Sequence, residues 1–279
     1  MRKWNLTTND PGAYTIAADA RCGPTDYTND HIWELALRGG DPPGLSVETT
    51  FGLRARQLKI FPRFTEGDNA ISDPDQFESE PRVHQFFPNY LSLSCSPFTG
   101  IDVNLEYWVP DSHALTGRIH IKNTRLSARL LCLELVCMLS SGDGGERMVP
   151  EEIEAATVLS GQSSELAPTL FMTGGPTSGA GPYPALTLDI ELPPGGERSF
   201  IWVLASLDDP LDSFKMARQV ATRHWDKDIA RLEIINGGLI DIETGDPAWD
   251  AAFALSQKSA YNLIVGPSDH LPHASFVIS

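Results

Sequence analysis

The chain has 279 residues, 41% of them hydrophobic, and a formal charge of −16 at neutral pH from 21 basic and 37 acidic side chains. A surface this acidic repels phosphate backbones and anionic lipids, and no basic cluster offsets the negative charge. We therefore expect neither nucleic acid nor a membrane as a partner. A neutral partner such as a carbohydrate is compatible with this charge.

The cysteines and the N-terminal sequence bear on cofactors and location. Cys22, Cys95, Cys132 and Cys137 are scattered without metal-ligand spacing, so we expect no metal and no other cofactor. The sequence MRKWNLTTNDPG lacks the apolar stretch of a secretory signal, and no later run reaches the length of a membrane span. These features predict a cytoplasmic protein with buried thiols.

Residues 1–208 have the pattern of strands throughout. Apolar and polar side chains alternate with period two at 101–109, 118–122 and 186–192, as expected of strands with one buried face. Residues 130–139 and 200–205 are apolar on both faces and are predicted to be central strands. Glycine- and proline-rich turns separate these runs, so the segment is predicted to form a large antiparallel β-sandwich.

At Asp208-Asp209-Pro210 the period changes from two residues to that of a helix. The apolar positions predict one amphipathic helix of about five to six turns, and they are Leu211, Phe214, Ala217, Ala221, Trp225, Ile229 and Leu232. A short β-like piece, 239–242, follows it. Residues 209–240 are therefore interpreted as a helical linker.

A second helix is predicted to begin at Asp246, because Asp246 can cap free N–H groups and Pro247 suits the first helical position. Its apolar positions predict a buried stripe, formed by Trp249, Phe253, Ser256, Ala260, Leu263 and Ile264. Gly266-Pro267 is predicted to end the helix, and 271–279 is an apolar extended segment without a predicted partner.

A helix with a buried stripe normally packs against several others. Residues 241–279 are therefore interpreted as the start of a truncated helical domain. Trp249, Phe253 and Leu263 are expected to be covered by the sandwich or by a second copy of the chain, and otherwise to form an apolar patch that promotes association.

This order of elements resembles the six-hairpin glycosidase-like proteins, which include glycoside hydrolases, phosphorylases and glycogen-debranching-like enzymes. In that family a galactose mutarotase-like supersandwich precedes an (α/α)6 barrel through a helical linker. The residues that carry the resemblance are Leu105 to Pro110, Gly117-Arg118-Ile119, Asp208-Asp209-Pro210, Trp225-Asp226 and Thr244 to Ala252.

The resemblance implies that the catalytic acid and base lie in the barrel. This chain is then expected to be a non-catalytic N-terminal domain of a carbohydrate-active enzyme, with a structural or substrate-framing role. Its expected partners are a carbohydrate and either the helical domain or, through the last helix, a second copy. An active aldose 1-epimerase and a stand-alone carbohydrate-binding module remain as alternatives.

Four polar residues near the C-terminus are candidates for substrate binding. Asp246 and Asp250, with Glu243, supply the carboxylates that glycoside hydrolysis requires, but the same spacing is typical of a capped helix start. His270 and His273 flank Pro272, which is incompatible with a helical pair of metal ligands. The resemblance instead places the two histidines in the wall of a sugar cleft.

Two further candidates lie in the sandwich. Trp108 and Glu106 share the polar face of one strand, where an aromatic ring beside hydrogen-bonding groups is typical of a sugar platform, although a solvated outer face has the same pattern. An epimerase needs an acid and a base. The residues able to supply them are His84, His113 and His120 with Glu106 or Glu191.

Overall fold

A computed structural model of the chain describes residues 14–23, 25–26, 31–40, 44–142, 144–267, 269 and 271–276. Two eight-stranded sheets, in which all paired strands are antiparallel, face one another across a continuous apolar core. Three α-helices follow the last long strand. The prediction of a large antiparallel sandwich followed by helices is therefore confirmed.

The first sheet has the strand order β1-β2-β3-β4-β10-β15-β14, with β5 paired to β4. Its strands are β1 (Tyr14–Ile16), β2 (Trp33–Arg38), β3 (Gly44–Thr49), β4 (Ala55–Glu66), β5 (Asn69–Ile71), β10 (Arg129–Ser141), β14 (Thr177–Ser178) and β15 (Ala185–Leu192). A short 3-10 helix, Pro74–Gln76, follows β5.

The second sheet has the order β11-β12-β13-β16-β9-β8-β7-β6. Its strands are β6 (Ser79–Phe87), β7 (Tyr90–Phe98), β8 (Ile101–Asp111), β9 (Ala114–Asn123), β11 (Glu146–Ile153), β12 (Ala156–Gln162), β13 (Ala167–Met172) and β16 (Glu197–Leu207).

The two runs that are apolar on both faces form central strands, as predicted. Strand β10 lies between β4 and β15, and β16 lies between β13 and β9. Trp202 of β16 fills the core directly over Gly117 of β9, where an added Cβ would lie within 2.5 Å of three atoms of the indole ring. A side chain at Gly117 is therefore incompatible with this packing.

The linker contains two helices, so the prediction of one long helix is wrong. Helix α1 (Pro210–Ala221) and helix α2 (Trp225–Asn236) are separated by Thr222, Arg223 and His224. Thr222 is the last residue of this turn: its backbone N–H still donates to the carbonyl of Arg218 at 3.2 Å, and its hydroxyl donates to the carbonyl of Gln219 at 2.8 Å. The break turns α2 onto a different part of the second sheet, which a straight helix could not reach.

Helix α3 (Pro247–Asn262) begins as predicted, with the Asp246 side chain accepting from the N–H of Ala248. Its predicted buried stripe, however, is mostly exposed. Trp249, Phe253 and Leu263 are 62%, 43% and 45% exposed, and Ser256 and Ala260 also face solvent. The opposite side, with Ala251, Ala254 and Leu255, packs against the sandwich core. The prediction identified the stripe but not the side of α3 that packs on the sandwich. Helical periodicity reveals an apolar stripe without revealing what covers it.

The segments around α3 also differ from expectation. Residues 239–242 are not a strand, and the backbone N–H and C=O of Ile240 instead bond the Gln257 side chain. Helix α3 ends at Asn262, before Gly266-Pro267, because β17 (Ile264–Val265) begins there. The extended tail has a partner after all, since β18 (Ser275–Phe276) pairs with β17. No helix within the described ranges is long and apolar enough to cross a membrane.

Lys258 of α3 is buried at the contact between this helix and the sandwich. Its ammonium donates to the carbonyl oxygen of Thr15 in β1 and lies 4.0 Å from the centre of the Phe86 ring. Burial lowers the pKa of Lys258 to about 7 from 10.5. The folded chain binds the Lys258 proton less tightly than the unfolded chain, so protonation lowers the free energy of unfolding. This loss is complete below pH 7 and shrinks as the pH rises toward 10.5.

We therefore expect the free energy of unfolding of the wild-type chain to rise between pH 7 and 8.5, relative to Lys258→Met, by up to about 1 kcal/mol per pH unit. Urea denaturation at several pH values measures the difference, in which other titrating groups cancel. Lys227→Met, at an exposed position, is the control and should give no such slope. A difference between wild type and Lys258→Met that does not change with pH would contradict this account.

Candidate functional site

The outer face of the second sheet changes character over three successive rows of paired residues. The first row is buried and mostly apolar and lies beneath the linker helices, and it contains Tyr90, Trp108, Thr116 and Val203. The second row is charged, with Glu106 paired to Arg118. The third row is polar and open. The candidate site is the boundary between the covered and the open parts of this face.

Helices α1 and α2 cover the first row. Ala217 and Val220 of α1 pack on Val203 and its neighbours, and Trp225, Ile229 and Leu232 of α2 pack on Phe87, Tyr90 and Trp108. The Trp108 and Trp225 rings meet edge to face, with centroids 5.8 Å apart. The linker helices are thus fixed to the sandwich through two apolar clusters.

Glu106 is the centre of the charged boundary. Its carboxylate accepts from the Tyr90 hydroxyl at 2.6 Å, from the Trp225 indole N–H at 3.4 Å, and from Nε of Arg118. Arg118 also donates to Asp226 of α2 at 2.6 Å. We call these five residues the Glu106 cluster, and it joins β7, β8 and β9 to the first turn of α2.

The electrostatics of the cluster follow from its partial burial. Burial lowers the pKa of Arg118, but the hydrogen bonds and charges of Glu106 and Asp226 outweigh it, so the net pKa is raised. Burial and the adjacent Glu106 carboxylate raise the pKa of Tyr90 far above its usual range. Arg118 therefore stays charged and Tyr90 stays protonated, so neither is suited to exchange protons near neutral pH.

The third row presents hydrogen-bonding groups to solvent across five strands. His84 lies 2.6 Å from the Ser94 hydroxyl, and His120 lies 2.8 Å from the Ser199 hydroxyl. Asn104 stands between them, opposite both Ser94 and His120 in the sheet. This row contains no Trp, Tyr or Phe side chain, so it lacks the broad stacking surface of a sugar platform.

The structure separates the six predicted site residues. Glu106 and Trp108 belong to the boundary, but Trp108 is only 3% exposed because α2 covers it, so it offers no platform to a ligand. Asp246 caps α3, and Asp250 accepts from the backbone N–H and hydroxyl of Thr244 at 2.7 and 2.6 Å.

The two histidines of the tail lie far from this boundary in sequence. His270 lies outside the described residues. His273 is exposed, and its carbonyl accepts from the Ser275 hydroxyl at 3.0 Å. Neither observation tests a sugar-binding role, which for these two residues stays a prediction.

Three of the residues that could supply an epimerase's acid and base, His84, His120 and Glu106, line one open cavity of about 450 Å³. Glu106 is held by Arg118, and Glu191 is exposed on the first sheet. His113 lies 3.0 Å from Asp26. His120 lies 3.7 Å from Glu197, but that carboxylate is 58% exposed on an open sheet face rather than in a pocket.

Sequence reasoning missed Tyr90, Arg118, Trp225 and Asp226 as partners of Glu106. A signal for one of them was present. The turn at Pro110-Asp111-Ser112 predicts a hairpin that pairs β8 with β9, but the pairing of Glu106 with Arg118 also depends on the register shift between Trp108 and Asp111. The other contacts depend on where α2 packs, which strand pairing alone does not fix.

Comparison with known proteins adds evidence on the fold. No family model and no curated sequence matches the chain. Two solved structures match 94% of it: a protein assigned as a kojibiose phosphorylase from the human microbiome, with a TM-score of 0.53 at 10% identity, and a bacterial glucoamylase complexed with acarbose, with a TM-score of 0.54 at 11% identity. The chain spans 39% and 41% of their lengths.

A third structure, a galactose mutarotase-like protein from Lactobacillus casei, matches 70% of the chain over its own full length at 9% identity. Its TM-score of 0.41 is too low to carry an argument. The first two likenesses confirm the fold that the resemblance implies, a β-sandwich followed by helices.

The cluster makes a specific prediction about stability. Glu106 and Arg118 side chains are 13% and 25% exposed, so Arg118→Met leaves a largely buried carboxylate without its cation. We expect a loss of about 2–4 kcal/mol in the free energy of unfolding. The double variant Glu106→Gln/Arg118→Met should recover part of this loss, because no buried charge is then left unpaired.

Asp226→Asn is the matched control, since the Asp226 side chain is 87% exposed and its pair with Arg118 should contribute less than about 1 kcal/mol. Chemical denaturation of the four proteins measures all these effects. Equal losses in the free energy of unfolding for Arg118→Met and Asp226→Asn would contradict the prediction, because the buried Glu106–Arg118 pair would then contribute no more than the exposed Arg118–Asp226 pair.

Proposed function

We propose that the chain is the non-catalytic sandwich domain of a carbohydrate-active enzyme, and that it supports a helical domain that carries the chemistry. The observation that carries the proposal is the likeness over 94% of this chain to about two fifths of a glucoamylase and of an assigned kojibiose phosphorylase. In the proposed division, 1–208 is the sandwich, 209–240 the linker, and 241–279 the first part of the helical domain.

The exposed side of α3 supports this proposal, because it is an apolar surface on a helix whose other side is already packed. Trp249 and Phe253 lie with ring centroids 6.3 Å apart and are 62% and 43% exposed. Leu263, just after α3, and Ile240, whose backbone bonds Gln257 of α3, are also exposed. An adjacent helical domain, packing on α3, is the occupant that we propose for it.

The hydrogen bonds and ion pairs of the carboxylates near the candidate sites support the non-catalytic role. Glycoside hydrolysis uses two carboxyl groups across a bound sugar, one of them able to deliver a proton. Glu106 is held by Arg118, Tyr90 and Trp225, and Asp246 and Asp250 serve the start of α3. These groups are therefore assigned structural roles.

The isolated chain should neither hydrolyse kojibiose nor cleave it with inorganic phosphate. It should also self-associate weakly through the uncovered side of α3, and Trp249→Ser/Phe253→Ser should be monomeric and bind less of an apolar dye. Sedimentation velocity over a range of concentrations and dye fluorescence measure this.

The control is Leu53→Ser/Leu126→Ser, which removes two leucines that are 89% and 96% exposed elsewhere and should leave association unchanged. Turnover by the isolated chain would contradict the non-catalytic role. If the wild-type chain binds the dye and associates no more than the Trp249→Ser/Phe253→Ser variant, the docking role of α3 is contradicted.

A further inference from the structure

The exposed side of α3 has the shape of a helix-packing surface. Trp249 and Phe253 are four residues apart and form a raised aromatic row along the helix. The other exposed residues of this side are small, and they are Ala252, Ser256, Ser259 and Ala260. A row of small side chains beside a row of large ones leaves a shallow groove, into which the side chains of a second helix can pack.

The segment that precedes α3 lies along one edge of this exposed side. The backbone N–H and C=O of Ile240 bond the Gln257 side chain at 2.9 and 2.8 Å, and Thr244 donates to Asp250 at 2.7 and 2.6 Å. Residues 240–244 therefore run antiparallel to α3, from Gln257 back to Asp250. Both of these residues neighbour Phe253 on the helix surface, so the segment borders the aromatic row.

This edge carries negative charge. From 237 to 267 the sequence has four carboxylates, at 241, 243, 246 and 250, and a single basic residue, Lys258. Glu243 and Asp246 are exposed at the edge. Asp246 accepts from the backbone N–H of Ala248 at 2.9 Å, a bond that does not neutralise its carboxylate. A partner that covers the aromatic row therefore meets an acidic border.

The cations that contact α3 do not offset this border. Lys258 is buried on the packed side of the helix, where its ammonium donates to the carbonyl oxygen of Thr15. Arg21 lies over the Tyr261 ring, but its guanidinium is paired with the Asp19 carboxylate at 2.6 Å. Both cations are thus engaged with the sandwich side of α3.

A second copy of the chain is a poor occupant for such a surface. In a two-fold dimer through α3 the same patch meets itself, so one acidic border approaches another. Each copy also has a formal charge of −16, which adds repulsion at longer range. Self-association through α3 is therefore opposed by charge, and salt should strengthen it by screening that repulsion.

We propose that the exposed side of α3 binds a helix with an apolar centre and a flank of lysine or arginine side chains. The apolar centre covers Trp249 and Phe253, and the cations meet Glu243 and Asp246 at the border. This inference rests on the proposed function, in which the bound helix belongs to the adjacent helical domain. It adds the chemistry of that helix, because the acidic border selects a basic partner over a second copy.

Two synthetic peptides test this selectivity. Both are amphipathic helices with the same leucine face, and they differ in the flanking residues, which are lysines in one peptide and glutamates in the other. Fluorescence anisotropy of the labelled peptides measures their binding to the full chain. We expect the lysine-flanked peptide to bind about ten-fold or more tightly than the glutamate-flanked peptide.

Salt should act in opposite directions on the two kinds of association. Raising NaCl from about 0.05 M to about 0.5 M should weaken binding of the lysine-flanked peptide and strengthen self-association of the chain, as measured by sedimentation velocity. An apolar surface without an acidic border would give the same direction of change for both.

Glu243→Gln/Asp246→Asn removes two charges of the border and keeps a cap for α3, because asparagine is also favoured at the N-cap. This variant should bind the lysine-flanked peptide about three-fold or more weakly than the wild type. Glu152→Gln/Glu165→Gln is the matched control and should bind as the wild type does. It removes two exposed carboxylates at β11 and at the turn between β12 and β13, on the edge of the second sheet opposite β6. Circular dichroism checks that each variant is folded.

Equal binding of the two peptides, binding of neither, or equal weakening by the control variant overturns this inference. The lysine-flanked peptide should also lose binding to Trp249→Ser/Phe253→Ser, whose charge is unchanged. Binding that survives in that variant overturns the inference too, because attraction to the net charge of the chain would then account for it.

Failure of this inference is distinguishable from failure of the proposed function. If the wild-type chain binds the apolar dye and self-associates more than Trp249→Ser/Phe253→Ser but does not discriminate between the peptides, α3 keeps its docking role and only the assigned partner chemistry is wrong. If the wild type and that variant are equal in dye binding and association, the docking role itself fails.

Discussion

A largely buried charge pair joins the sandwich to the first turn of α2, at the edge of the surface that the linker helices cover. Glu106 and Arg118 face each other on adjacent strands at the edge of the surface that α2 covers. Arg118 reaches Asp226 and Glu106 reaches Trp225, so the pair fixes the first turn of α2 through two contacts. The two apolar clusters fix the linker helices to the sheet, and the charge pair adds polar contacts where α2 begins.

The consequences extend from this pair to the rest of the structure. Because α2 is held over Trp108, the sandwich loses an exposed aromatic ring and gains a cleft behind it. Arg21 then connects α2 to α3, since its guanidinium donates to Asn236 and lies 3.9 Å from the centre of the Tyr261 ring. The linker and α3 are therefore continuous with the sandwich in packing, while the exposed side of α3 remains available to a further domain.

The sandwich could be predicted from the sequence because its signals are local. Strand β10 is apolar on both faces and β8 alternates, and both patterns report directly on burial. The same patterns gave the wrong exposure for Trp108 and for the α3 stripe, and the reason is the same in both cases. Periodicity assigns residues to a face, but which helix or domain covers that face is decided by contacts distant in sequence, such as Trp225 with Trp108 and Lys258 with Phe86. The break between α1 and α2, at Thr222, Arg223 and His224, likewise leaves no signal in the spacing of apolar residues.

The central claim is that this sandwich works as part of a larger carbohydrate-active enzyme, and the most direct measurement is the mass of the native protein that contains it. An antibody raised against the sandwich, used on the source cells, isolates that protein for intact mass determination and for an assay with kojibiose and phosphate. The account predicts a polypeptide more than twice as long as this chain, as in the two structures that share its fold, with turnover that the isolated chain lacks. A native protein of 30.5 kDa that acts on sugars by itself would contradict it.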